Sequence, residues 1–107
     1  MKFTRYTISV GLNDKDTLRP RASYDVASLE MAGRMAQLGV GCTVTRGTGV
    51  YKHERGEVVI EDTVVISVID FEGTFSGKMG DFIAGVKRDY NQESVAVMVD
   101  KVESELI

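Results

Sequence analysis

Val58-Val59-Ile60-Glu61-Asp62-Thr63-Val64-Val65-Ile66-Ser67-Val68-Ile69 is the most β-prone stretch of the chain, with valine and isoleucine on both faces. β-Branched residues suit a pleated surface, and apolar side chains on both faces predict a strand in the middle of a sheet. Just before it, Lys52-His53-Glu54-Arg55-Gly56 is polar and ends in glycine, which predicts a hairpin. The other arm of that hairpin is residues 42–51. There Cys42, Val44 and Arg46 fall on one side and Thr43 and Thr45 on the other. Gly47 and Gly49 in this arm predict a bulge or a sharply twisted stretch.

Toward the N-terminus, residues 3–12 alternate. Tyr6, Ile8, Val10 and Leu12 take one face and Thr7, Ser9 and Gly11 the other, which predicts a half-buried strand. Asn13-Asp14-Lys15-Asp16-Thr17 follows as a polar, solvated turn whose Asn and Asp side chains can bond their own backbone. Pro20 suits the first turn of a helix, which Tyr24, Ala27, Met31, Met35 and Leu38 continue at helical spacing. Gly39 and Gly41 supply its stop. Beyond the central strand, the glycine-rich segment from Gly73 to Gly80 feeds a second helix with Phe75, Met79, Phe82, Ile83, Val86 and Tyr90 on one face. A last strand runs from Gln92 to Val102.

The order is β-α-β-β-α-β, an α+β chain on the ferredoxin-like plan: a four-stranded antiparallel sheet with two helices on one face. Its length of 107 residues fits a single α+β domain over 1–107. The uncovered face of the sheet carries some Val, Ile and Met, so association into a homo-oligomer is expected.

A net charge of −3 argues against a nucleic-acid polymer as partner, because phosphate neutralisation needs a surplus of Lys and Arg on one face. Cys42 is the only cysteine and His53 the only histidine, so there is no internal disulfide and no zinc-binding pair. No cofactor is implied. The N-terminus lacks a signal-peptide apolar stretch and no apolar run reaches ~18 residues, which predicts a cytoplasmic protein that does not enter a membrane.

Several groups suggest chemistry and then fail a requirement. Gly73-Thr74-Phe75-Ser76-Gly77-Lys78-Met79 has a P-loop outline. It has one residue too few before Gly-Lys, however, and Met79 where Ser or Thr would reach magnesium. His53 is at a hairpin tip with no second imidazole, and Cys42 reads as a small buried hydrophobe. Asp14 and Asp16 form a carboxylate pair, yet nothing buries them beside a nucleophile. Lys87-Arg88-Asp89-Tyr90-Asn91-Gln92-Glu93-Ser94-Val95 ends the second helix, where the cations suit the dipole and Asn91 suits a C-cap. The same segment also gathers a cation, an amide pair and a hydroxyl, groups that read a phosphate and a ribose or base edge. With no catalytic centre in view, the expected work is binding, not catalysis.

Two motifs together carry a family resemblance: Ser9-Val10-Gly11-Leu12-Asn13-Asp14-Lys15-Asp16-Thr17, and Asn91-Gln92-Glu93-Ser94-Val95 after the second helix. Tyr51-Lys52-His53-Glu54-Arg55-Gly56-Glu57-Val58-Val59-Ile60-Glu61 is the matching hairpin. The arrangement resembles small phage and prophage proteins, the first type of Thoeris anti-defence protein above all. The resemblance implies a sponge that sequesters a cyclic ADP-ribose isomer between the protomers of a homo-oligomer, without cleaving it. The ligand-binding residues then expected are Asn13, Asp14, Lys15, Asp16, Arg21, Arg88, Asn91 and Gln92. An adenine-stacking ring would come from Phe71, Phe75 or Phe82. No arginine follows Arg88, so the C-terminal strand lacks a basic ligand group. The alternative is a protein-binding inhibitor module that acts through its sheet face or edge. A small enzyme running a substrate-assisted reaction ranks third.

Overall fold

A computed structural model describes residues 1–107. Its elements are β1 (Lys2–Gly11), α1 (Tyr24–Gln37), β2 (Thr43–Lys52), β3 (Val58–Asp70), α2 (Ser76–Asp89) and β4 (Ala96–Glu103). The four strands form one antiparallel sheet in the order β2-β3-β1-β4. This is the ferredoxin-like α+β arrangement that the order of periodicities predicts, and β3 is interior as its two apolar faces require. No helix is long and apolar enough to cross a membrane.

Alternation decides which side of the sheet the helices cover. Ile8, Val10, Val64, Ile66 and Val68 point to one face and are sealed by Ala27, Met31 and Met35 of α1 and by Phe82 and Val86 of α2. Tyr6 meets Phe75 edge-on across this layer, with ring centroids 5.1 Å apart. The other face carries Thr7, Ser9 and Gly11 of β1 beside Thr63, Val65 and Ser67 of β3.

Both helix ends have local causes. The Ser23 hydroxyl accepts the Val26 N–H and starts α1, three residues later than Pro20 suggests. Pro20 instead bridges to Asn13 and closes the loop after β1. Gly39 takes φ 72°, and the Gly39 and Val40 N–H groups return to Ala36 and Met35 at 3.0 Å each, a Schellman stop. The predicted bulge at Gly47 and Gly49 does not form, because β2 pairs with β3 without interruption from Thr43 to Lys52. β4 begins at Ala96, so residues 92–95 are loop and not strand.

The P-loop outline has a different use. Both oxygens of the Asp70 carboxylate are taken by the Thr74 and Phe75 N–H groups, at 3.1 and 3.0 Å. A carboxylate on those amides leaves no place for a phosphate.

Candidate functional site

β1 stops at Gly11, while the β2–β3 hairpin runs on past it to residues 52 and 58. The step between them, on the face away from the helices, opens a cavity of about 480 Å³. The loops after β1 and before β4 wall it in, so Lys15, Tyr51, His53, Glu61, Thr63 and Glu93 all line one space.

Glu61 is the central group. Its position on β3 points it away from the helices, and its side chain lies down across the sheet toward β1. The Asn13 N–H donates to its Oε2 at 2.9 Å. Burial pushes the Glu61 carboxyl above the ordinary glutamate range, and the Asn13 amide opposes part of that rise. Tyr51 stands diagonally across the hairpin. Burial raises its phenol, and the charges of Glu61 and Glu93 add to the effect. Both carboxylates are therefore felt at one ring. Next to them the Thr63 hydroxyl is buried with no hydrogen-bond partner.

Beneath the cavity a second set of polar groups ties its two walls together. Asp14 is not in a solvated turn but 4% exposed. Its Oδ1 accepts the Asp16 and Thr17 N–H groups at 2.8 and 3.2 Å and the Asn91 amide at 2.9 Å. Its Oδ2 accepts Arg21 Nε at 2.6 Å. These bonds hold the Asp14 carboxyl well below the usual aspartate range, the Asp16 amide first among them. Lys15 N–H reaches the Asn91 carbonyl at 3.0 Å, and Gln92 Nε2 reaches the Asn13 carbonyl at 2.8 Å. The loop carrying Lys15 and the loop carrying Glu93 are thus bonded to each other.

The residues expected from the sequence divide three ways. Asn13, Lys15 and Gln92 line the cavity. Asp14, Asp16, Arg21 and Asn91 form the tie below it, with Asn91 Nδ2 also 2.8 Å from Asp16 Oδ2. The rest are elsewhere. Arg88, outside the Glu61 cavity, is an exposed side chain paired with its neighbour Asp89 at 3.0 Å, and it lines an open neighbouring cavity of about 650 Å³ together with Lys15, Asn91 and Gln92. Phe71 packs edge-on against Phe3, and Phe82 is 3% exposed in the core, so it offers no ring to a ligand. Phe75 is 1% exposed and is likewise withdrawn.

Sequence reasoning missed Tyr51, Glu61, Thr63 and Glu93 and set His53 aside. One signal was available: Glu61-Asp62 interrupts the most apolar run in the chain. With the hairpin register, Glu61 falls opposite Gly49 and diagonal to Tyr51.

A second cavity of about 420 Å³, near Cys42, Phe71 and Leu106, lies toward the other end of the sheet. Of the titratable groups there, Asp70 is already occupied by backbone amides. The chemistry favours the Glu61 cavity.

No protein-family model and no curated protein matches the chain. Solved structures do. A phage SAM lyase in complex with S-methyl-5′-thioadenosine is 28% identical, with a TM-score of 0.73; the match covers 92% of this chain and 80% of that one. A phage SAM lyase in its apo state is 27% identical, with a TM-score of 0.72, covering 94% and 81%. These likenesses overturn the Thoeris anti-defence resemblance. They also overturn the expectations that rested on it: a non-catalytic sponge, and a cyclic ADP-ribose isomer as its partner. The expectation that the chain is not an enzyme falls with them. It rested on the lack of a nucleophile beside a base.

Proposed function

We propose that this protein is an enzyme that cleaves S-adenosylmethionine without water and releases S-methyl-5′-thioadenosine. The observation that carries the reading is the near-full-length likeness to a phage SAM lyase, a protein solved with that thioether. The acidic cavity supports it from the residues upward.

In the sulfonium substrate, the bond between sulfur and the γ-carbon of the methionyl chain breaks and both electrons return to sulfur. The positive sulfonium becomes a neutral thioether. The four-carbon fragment then completes its valence either by yielding a proton from its β-carbon to a carboxylate of the cavity, Glu61 or Glu93, or by closing its own carboxylate onto the γ-carbon. Neither route needs a protein nucleophile. The protein's task is to gather a cation, fold it into a reactive conformation and let a neutral product leave.

Glu61 and Glu93 supply negative charge around a space that Tyr51 lines with its ring. A carboxylate attracts a cation directly, and a tyrosine face adds a cation–π attraction. Both attractions vanish for the thioether, so the site favours substrate over product.

Purified protein incubated with S-adenosylmethionine is expected to give S-methyl-5′-thioadenosine over many turnovers. Glu61→Gln is expected to lower kcat/KM by about 10–100-fold, the loss of one charge-assisted contact of ~1.5–3 kcal/mol. Recovery of the substrate intact sinks the reading. The identity of the four-carbon product, unsaturated or lactone, separates the two routes.

A further inference from the structure

A glycine inside a strand weakens it, so a strand glycine needs a reason. Gly11 has none in its backbone: it is an ordinary extended residue paired with Thr63, and its φ is not positive. The reason is found on the open face of the sheet. A Cβ on Gly11 would stand 2.0 Å from Glu61 Oε1, 2.5 Å from its Cδ and 2.9 Å from its Oε2. The carboxylate therefore occupies the place where every other residue would carry its side chain.

Gly49, the direct cross-strand partner of Glu61, leaves room on the other side chiefly for Thr63. A Cβ there would lie 2.8 Å from Thr63 Oγ1 and 3.4 Å from Glu61 Cγ. The glutamate stem thus passes Gly49 at contact distance and its carboxylate lies over Gly11. There the carboxylate meets the Asn13 N–H, one residue beyond Leu12, whose own N–H is bound to the Asp62 carbonyl at 3.0 Å.

We propose that Gly11 is a positioning residue: by lacking a side chain it seats the Glu61 carboxylate over β1, at the mouth of the cavity. The inference deepens the lyase reading and rests on it for its consequence in activity. The conflict created by a methyl group is with the free end of a flexible side chain, not with backbone. Gly11→Ala consequently keeps the fold and evicts the carboxylate.

The test is a double-mutant cycle joined to a titration. Gly11→Ala, with Gly11→Ser as a second variant, is expected to lower kcat/KM at least tenfold with Glu61 present. In a Glu61→Gln background it should lower it no further, because the two changes remove the same thing. The melting temperature should hold or rise. By NMR, the Glu61 carboxyl of Gly11→Ala should titrate closer to an ordinary glutamate than that of the wild type, since it has left its seat. Wild-type activity in Gly11→Ala, or an equal loss in both backgrounds, overturns the role of Gly11 and leaves the lyase reading standing. An unshifted Glu61 titration in Gly11→Ala overturns the seat itself. If the wild type leaves S-adenosylmethionine intact, the lyase reading falls, and the titration alone then decides for or against the seat.

Discussion

Asp14 shows what a single carboxylate does when it is buried among donors. Four groups from two segments converge on it: two backbone amides and Arg21 of its own β1–α1 connection, and Asn91. Their combined pull depresses its folded pKa, so its contribution to stability is present above the unfolded value and disappears as pH falls through the folded one. Asp14→Asn should therefore be less stable than wild type at pH 7. The gap should close progressively as the pH drops below about 4, where an unfolded aspartate takes up its proton. Chemical denaturation of both proteins at several pH values measures it, and a gap that persists unchanged to pH 2 would contradict the assignment. From the sequence, Asp14 looked like one carboxylate of a polar turn. Its burial depends on Asn91, 77 residues away, a distance no local pattern spans.

At the scale of elements, the two helix ends are built alike from different residues. Gly39 after α1 and Asn91 after α2 both adopt left-handed backbone, at φ 72° and 49°. Glycine takes that conformation freely, whereas other residues pay a steric cost that Asn bears better than most. Asn91 also sends its amide to Asp14 and Asp16, so capping and tying are one act. The two contributions can be separated. Gly39→Ala should destabilise by about 1–2 kcal/mol through strain alone. Asn91→Gly relieves strain and should lose only the side-chain bonds, whereas Asn91→Ala suffers both penalties and should be the weaker of the two. Equal melting curves for the two Asn91 variants would remove the strain argument. Six elements in the right order were legible because alternation and helical spacing are local signals. The Glu61 cavity was not, since it depends on which β1 residue faces Thr63. That register is a property of the sheet and not of either strand: Gly11 and Thr63 are paired across α1 and β2.

Across the whole molecule, the candidate site sets function against stability. Desolvation raises the Glu61 carboxyl, so in the folded protein its proton is held more tightly than in the unfolded chain. A group shifted in that direction leaves stability intact below its unfolded value and reduces it as pH rises through the folded one. Cation binding asks for the opposite state, the ionised carboxylate. Cleavage of S-adenosylmethionine should accordingly rise with pH along a limb whose midpoint lies above the ordinary glutamate value of about 4.3. Over the same interval the wild type should become less stable than Glu61→Gln, with the two proteins alike at the acid end. Lys15, Tyr51, His53 and Glu93 face the same cavity. A His53→Gln variant keeps the limb if Glu61 is its source and loses it if the imidazole is. Rate profiles and denaturation curves on the three proteins then give one answer. An activity limb that survives in the residual turnover of Glu61→Gln would mean that the charge the substrate needs resides on another group.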